Sequence, residues 1–217
     1  MNAANSPSVL HGFFRSSAAW RVRIALNLKG LPVTQVSHHL PHMEQTAPDY
    51  LALNPQGLVP ALTLADDTVL TQSLAIVEWL DEVFPAPPFL PADLTSRARV
   101  RAFALVMAAD THPLQNLKIL RRLRTAGLQQ QAVQDWAAQA NIDGLTACEA
   151  LLPSDSGPFC FGTGPGLADI CLIPQLASAR RFGVDVARFP RLLTREAACL
   201  ALPAFANADP AVQPDAE

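Results

Sequence analysis

Short apolar runs and helically spaced apolar residues alternate along the first third of the chain. Residues 9–14 are mostly apolar, which predicts a strand. Trp20, Ile24 and Leu28 then recur at every fourth position, the spacing of one face of a helix. Gly30 follows and is typical of the end of a helix. This segment therefore predicts a strand followed by a helix.

The alternation continues to residue 84. Residues 33–37 predict another strand, and residues 61–64 and 68–70 predict a hairpin around two aspartates. Ser73 opens a segment, residues 73–84, whose apolar positions share one helical stripe. The order strand, helix, strand, loop, two strands, helix predicts a small α/β domain.

A proline-rich segment follows this α/β region. Four prolines between residues 84 and 91 exclude a helix and stiffen the chain. We interpret them as a linker, which predicts one domain over residues 1–87 and a second over residues 92–217.

The second predicted domain is helical throughout. Helical spacing extends over residues 96–123, 130–152 and 166–182. Pro113 lies inside the first of these segments and predicts a kink near His112, because proline removes a helical hydrogen bond. The last residues of a chain are often poorly ordered, and we expect this of residues 209–217.

Composition limits the function classes. Half of the 217 residues are hydrophobic, the net charge is −3, and no basic cluster is present, so we expect no nucleic-acid partner. No metal-ligand spacing occurs, and we expect no metal. We find no secretion signal and no apolar run of about 18 residues, which predicts a cytoplasmic protein that does not insert into membranes. In that compartment the four cysteines are expected to be reduced and mostly buried.

The segment around Ser16 and Ser17 carries the most specific chemistry. It places two hydroxyls and Arg15 at the start of the first predicted helix, directly after a strand. A helix start offers unpaired N–H groups and a partial positive charge, which favour an anion. A serine there can cap the helix or donate a hydrogen bond to a bound thiolate, and this segment alone leaves both roles open.

Six strings in order along nearly the whole chain resemble the zeta class of the glutathione transferases. They are SSAAWRVRIAL, NPQGLVP, QSLAIVE, HPLQN, ADICLIPQ and RFGVD, which begin at Ser16, Asn54, Gln72, His112, Ala168 and Arg181. The resemblance implies a thioredoxin-like, glutathione-binding domain over residues 1–87 and a helical, substrate-binding bundle over residues 92–217. It also implies a homodimer that uses glutathione to isomerise maleylacetoacetate or maleylpyruvate, small dicarboxylates of aromatic and tyrosine catabolism, from cis to trans.

The resemblance assigns catalytic roles to four residues. Ser16 would donate to the glutathione thiolate, with Ser17 as its neighbour and substitute; the alternative role for either is the helix cap. The substrate carries two carboxylates and develops an enolate, which suits arginine because its planar fork pairs with carboxylates. Arg15 and Arg181 are the candidates, with a surface salt bridge as the alternative for each.

The remaining candidate residues would bind glutathione. Val59 precedes Pro60, which matches the family's cis-proline, and its main chain would pair with the cysteinyl part of the tripeptide. The γ-glutamyl carboxylate would lie at the start of the second predicted helix. The full set is Gln56, Val59, Gln72, Ser73, His112, Gln115 and Asn116. Lys118 is a further candidate cation, and we interpret His38, His39 and His42 as a solvated loop that borders the glutathione site.

Two positions depart from the family pattern. Ala18 stands where the family usually has cysteine after the paired serines, so the chain brings no thiol of its own to this site. Gly166 replaces the hydroxyl residue of a capping box that ends in Asp169, and on this basis Gly166→Ser is expected to raise the melting temperature slightly. Two alternative functions remain open: a transferase acting on small α-halo acids, and a non-catalytic binding protein with the same fold.

Overall fold

A computed structural model describes residues 6–154 and 157–217 of the chain. It divides into two compact units. The first comprises residues up to 88 together with residues 202–217, and the second comprises residues 89–201.

The first unit contains a mixed four-stranded sheet with the strand order β2-β1-β3-β4. Strands β1 and β2 are parallel, whereas β3 is antiparallel to both β1 and β4. Its elements are β1 (Pro7–Gly12), α1 (Ser17–Lys29), β2 (Thr34–Ser37), α2 (Pro48–Leu53), β3 (Ala61–Leu64), β4 (Val69–Thr71) and α3 (Ser73–Val83). The predicted order is confirmed, except that α2 lies in the predicted loop. A helix of six residues is too short to show a hydrophobic period.

Helix α1 begins and ends where the sequence indicates. Ser16 is its N-cap residue, and Gly30 ends it in the left-handed conformation, with φ of 67°. Along the helix Val22, Ile24 and Ala25 are fully buried, and α1 packs against α3. This packing fixes the direction in which the start of α1 points.

The second unit is helical. It contains α4 (Leu94–Leu105), a π-helical segment (Val106–Thr111), a 3-10 helix (His112–Gln115), α5 (Leu117–Thr125), α6 (Gln130–Leu151), α7 (Leu167–Arg181), another 3-10 helix (Val186–Arg188) and α8 (Pro190–Leu200). The interruption predicted near His112 is present, since the regular helix stops before Pro113. Gly144 of α6 faces this interruption, because a Cβ there would lie 1.9 Å from Thr111 Oγ1.

Helix α7 is the most buried helix of the second unit, and its start contradicts one expectation. Asp169 accepts hydrogen bonds from the main-chain N–H groups of Gly166, at 3.0 Å, and Cys160, at 2.9 Å. However, a Cβ on Gly166 would lie 2.7 Å from the carbonyl oxygen of Phe89. A side chain at this cap is excluded by packing, so Gly166→Ser is expected to destabilise the protein.

The C-terminal residues differ from the expected loose tail of the helical domain. They form α9 (Pro203–Ala206) and a 3-10 turn (Pro210–Val212), and they belong to the first unit. Arg23 Nε donates to the carbonyl oxygen of Ala208 at 3.1 Å, and Asn27 Nδ2 donates to that of Ala204 at 3.0 Å. The tail is ordered because its carbonyl groups accept hydrogen bonds from Arg23 and Asn27 of α1, which lie far from the tail in sequence.

All four cysteines are buried free thiols. Burial raises the pKa of Cys148 to about 12, so this thiol is not a nucleophile at neutral pH. Within the described residues, no helix is both long enough and apolar enough to cross a membrane.

Candidate functional site

Ser16 lies in the turn that joins β1 to α1. Its N–H donates to the carbonyl oxygen of Phe13 at 2.9 Å, and its Oγ accepts a hydrogen bond from Ala19 N at 3.2 Å. The cap that the sequence left open is therefore formed by Ser16. A cap uses a lone pair of the hydroxyl oxygen, whereas a thiolate would take the hydroxyl hydrogen. The two roles are compatible in one residue.

The neighbours of Ser16 differ in exposure. Ser17 is buried in the first turn of α1, and Ala18 is half-buried. Arg15 is exposed, with its guanidinium 5.7 Å from the ring centroid of Phe13 and 5.2 Å from that of Phe14. The guanidinium is held near the aromatic rings and stays accessible to an anion.

The Val59–Pro60 peptide bond is cis, as the resemblance implies. Strand β3 begins only at Ala61, so Val59 lies outside the sheet, and its main chain makes no hydrogen bond to another described residue. Tyr50 Oη and Asn54 Nδ2 both donate to the carbonyl oxygen of Leu58, at 2.7 and 2.6 Å. These two bonds fix the loop in front of the cis peptide bond.

The start of α3 brings Gln56, Gln72 and Ser73 together. Gln72 is the residue before the helix and adopts a positive φ of 67°, and its Nε2 donates to Gln56 Oε1 at 2.6 Å. Arg21 Nη1 donates to Ser73 Oγ at 3.3 Å. Arg21 is 2% exposed, so a buried guanidinium reinforces the positive end of the helix.

Sequence reasoning gave no role to Arg21. Its signal was a charged residue between the apolar residues Trp20 and Val22 of α1, where a buried arginine needs polar partners. The partner, Ser73, lies 52 positions further along the chain, which local patterns do not reveal.

The histidines do not form one solvated loop. His38 pairs with His11, Nε2 to Nδ1 at 3.0 Å, and its ring centroid lies 4.4 Å from that of Tyr50. Burial lowers the pKa of both His11 and His38. His39 stacks instead on the exposed His42 and pairs with Glu217 at 2.6 Å. The cluster is thus split into a half-buried pair and a surface pair.

In the second unit, Gln115 and Asn116 have structural partners. Gln115 is buried, and its Oε1 accepts a hydrogen bond from Ser178 Oγ at 2.7 Å. Ser178 Oγ in turn accepts from Arg181 Nη2 at 3.1 Å. Asn116 is the N-cap of α5 and accepts from Ile119 N at 3.1 Å.

Two neighbouring arginines end α7 in different ways. Arg180 donates to both carboxylate oxygens of Glu196 at 2.5 Å, which is the salt-bridge role. Arg181 lies over the ring of Phe182 and lines a cavity of about 310 Å³ that Arg124 also lines.

The remaining candidates of the second unit differ in exposure: His112, the first residue of the 3-10 helix, is half-buried, and Lys118 is exposed. Among the described residues, no group of three or more His, Cys, Asp or Glu side chains could hold a metal ion.

Comparison with known proteins identifies the family. Residues 15–83 match the family model of the glutathione S-transferase N-terminal domain. A maleylpyruvate isomerase of Ralstonia sp is 47% identical over 209 residues, covering 95% of this chain and 98% of that protein. The holo structure of a maleylpyruvate isomerase, described as a bacterial glutathione S-transferase in the zeta class, superposes with a TM-score of 0.93 at 46% identity, covering 96% of this chain and 100% of that one.

This chain belongs to the zeta class of the glutathione transferases. A second structural neighbour is a maleylacetoacetate isomerase from Methylobacterium extorquens AM1, solved with bound malonate and glutathione. It superposes with a TM-score of 0.93 at 42% identity, covering 96% of this chain and 99% of that one. The predicted family and fold class, a thioredoxin-like domain followed by a helical bundle, are confirmed.

The first unit holds three of the groups that the resemblance assigns to glutathione. Ser16 offers a hydroxyl donor, Val59 offers main-chain groups beside the cis peptide bond, and the start of α3 offers a positive helix end. The second unit presents Arg181 separately, held by Ser178 and Gln115.

Proposed function

We propose that this chain is a glutathione-dependent cis–trans isomerase of maleylacetoacetate or maleylpyruvate in aromatic compound or tyrosine catabolism. The observation that carries the proposal is the geometry of Ser16. Its hydroxyl oxygen caps α1, while its hydrogen can be donated to a sulfur anion at the positive end of the same helix. Two maleylpyruvate isomerases, 47% and 46% identical to this chain over nearly its whole length, support the same reaction.

Glutathione fits the first unit because its three kinds of polar group match three kinds of partner. Ser16 suits the thiol, and the main chain of Val59, which precedes the cis-proline, suits the cysteinyl peptide in the manner of a strand. Ser73 and the N–H groups at the start of α3 suit the γ-glutamyl carboxylate, with the Arg21 guanidinium behind them. Gln72, held by Gln56, sets the approach to that helix start.

When bound, glutathione supplies a sulfur nucleophile that adds reversibly to the conjugated cis double bond, so that the bond can rotate. The chain must therefore favour the thiolate. A free thiol has a pKa near 8.5, and lowering it by about 2 units needs ~2.7 kcal/mol of differential stabilisation. One hydrogen bond from Ser16 to a charged sulfur together with the α1 dipole is of that size.

Arg181 and Arg15 are proposed to bind the substrate carboxylates and to stabilise the enolate. Arg181 suits this role because its guanidinium lies over the ring of Phe182, where Ser178 and Gln115 hold it in place. Arg15 suits it because it is exposed one residue before Ser16. We assign His112 and Asn116 to glutathione or substrate, and Gln115 to the orientation of Arg181.

The test is to follow isomerisation of maleylpyruvate and maleylacetoacetate by absorbance, with and without glutathione. We expect turnover that requires glutathione. Turnover of α-halo acids alone would favour the transferase alternative, and glutathione binding without any turnover would favour the binding protein. Ala18 makes this measurement informative, since the family cysteine is absent.

Variants separate the roles of individual residues. Ser16→Ala should remove most turnover, while equal activity would move the role to Ser17. Arg181→Ala should reduce isomerisation far more than glutathione binding, and Arg188→Ala is the matched control because Arg188 is an exposed arginine of the same unit that contacts Phe189. If Arg181→Ala reduced isomerisation and glutathione binding equally, the carboxylate role of Arg181 would be contradicted.

We also propose a cytoplasmic homodimer, on the basis of the zeta-class resemblance. Light scattering during size-exclusion chromatography tests the dimer, and a mass of 23.3 kDa would contradict it.

A further inference from the structure

The C-terminal strap, residues 208–217, contacts the segment that leads to Ser16. Asp215 Oδ2 accepts a hydrogen bond from the main-chain N–H of Phe14 at 3.0 Å. The same oxygen accepts from Ser37 Oγ at 2.5 Å. A single carboxylate near the end of the chain thus joins the turn before α1 to the end of strand β2.

The carbonyl group of Phe14 is also held through the strap. Arg23 Nη2 donates to the carbonyl oxygen of Phe14 at 2.8 Å, and Arg23 Nε donates to the carbonyl oxygen of Ala208 at 3.1 Å. Both hydrogen-bonding groups of the Phe14 main chain therefore depend on the strap, one directly through Asp215 and one through Arg23.

Electrostatics favour the same arrangement. Arg23 is 4% exposed, and burial lowers its pKa to about 10. The nearby carboxylates of Asp215 and Asp209 oppose this shift and favour the charged guanidinium. The strap supplies negative charge where α1 contains a buried positive charge.

The position of Phe14 determines that of Ser16. Only Arg15 separates the two residues, and the turn is closed by the hydrogen bond from Ser16 N to the carbonyl oxygen of Phe13. A hydrogen bond to a bound anion weakens steeply with distance and angle, so a small rotation of this turn would misplace the Ser16 hydroxyl.

We infer that Asp215 is a positioning residue: it fixes the turn from Phe14 to Ser16 and thereby sets the strength of the hydrogen bond from Ser16 to the glutathione thiolate. The inference rests on the proposed function, in which Ser16 makes that bond. It extends the site from the turn before α1 to the C-terminal strap.

The experiment compares Asp215→Ala, Asp215→Asn and the control Glu217→Ala. Glu217 is a carboxylate of the same strap that pairs with His39 and not with the turn. The main readout is the pKa of the bound glutathione thiol, taken from the ultraviolet absorbance of the thiolate against pH at saturating glutathione. The second readout is kcat/KM against pH.

For Asp215→Ala we expect the thiol pKa to rise by about one unit, and kcat/KM below that pKa to fall about tenfold. The loss should shrink at high pH, where the thiol ionises without help. Asp215→Asn keeps an oxygen that can accept from Phe14 N–H and should restore most of the wild-type values. Glu217→Ala should match the wild type.

An unchanged thiol pKa in Asp215→Ala, with or without a lower melting temperature, would overturn the inference. The thiol pKa needs no maleyl substrate, so failure of the proposed reaction in the wild type remains distinguishable from failure of this inference. If Asp215→Ala does not fold, hydrogen exchange of the Phe14 amide in the wild type decides: we expect slow exchange, and exchange at the rate of an exposed amide would overturn the role of Asp215.

Discussion

Gly166→Ser is expected to destabilise the second unit, although serine is among the best residues at a helix N-cap. Gly166 precedes α7 with an extended φ of −132°, so its backbone conformation does not itself require glycine. The constraint is space. A Cβ at this position would lie 2.7 Å from the carbonyl oxygen of Phe89.

The Phe89 carbonyl cannot move away freely. It accepts a hydrogen bond from Leu167 N at 3.0 Å, one residue beyond the substitution. Relief of the clash would lengthen this bond or displace the start of α7, where Asp169 already satisfies the Gly166 N–H.

The magnitudes decide the sign. Exchanging glycine for serine at an N-cap gains only a few tenths of a kcal/mol, about 0.3, whereas overpacking a close contact costs ~1–3 kcal/mol. The net loss is about 0.7–2.7 kcal/mol, which corresponds to a fall of ~1–11 °C in the melting temperature for a protein of this size.

Thermal unfolding followed by circular dichroism measures the effect, with Gly164→Ser as the matched control. A Cβ on Gly164 would meet no described atom within 4 Å, and its φ is not in the left-handed region, so this serine should leave the melting temperature within about 1 °C. A melting temperature for Gly166→Ser equal to or above that of the wild type would refute the steric argument and restore the capping expectation.

Arg180→Ala should cost ~1–2 kcal/mol in urea unfolding, because it leaves Glu196, which is 8% exposed, without its bidentate cation; a loss below 0.5 kcal/mol would mean that the pair is solvated. Burial and the neighbouring His38 lower the pKa of His11, so the contribution of His11 to stability is present above the unfolded pKa of 6.5 and is lost as the pH falls through the folded pKa. The variant His11→Gln should therefore flatten the dependence of the urea midpoint on pH below 6.5, and an unchanged slope would contradict this. Burial raises the pKa of Asp169 above the usual 3.8, so the contribution of its carboxyl group to stability is fully present below that pH and is lost as the pH rises through the folded pKa. The stability of the wild type relative to Asp169→Asn should therefore decrease from about pH 4 upwards, and a constant or increasing difference would count against the raised pKa.

Local patterns predicted most of the elements because helices and their ends depend on neighbouring residues. The spacing of Trp20, Ile24 and Leu28 and the position of Gly30 defined α1. Pro113 located the break in the helix before it. Helix α2 was missed, since six residues that begin with proline show no period.

The candidate glutathione residues were recognised from strings, yet their partners were not. Ser16, Val59 and Ser73 each lie in a string that the family resemblance singles out. Arg21, which donates to Ser73 across 52 positions, and Asp215, which accepts from Phe14 across 201 positions, belong to no local pattern. Such pairs are formed only when packing brings distant segments together.

The sequence by itself determined the family and the order of most of the elements, because spacing and capping act over a few residues. The tertiary structure alone decided that residues 202–217 complete the first unit, that Gly166 has no room for a side chain beside Phe89, and that Gln115 and Ser178 hold Arg181. These features depend on which groups lie within a few ångströms of one another after folding. Distance along the chain carries little information about that proximity.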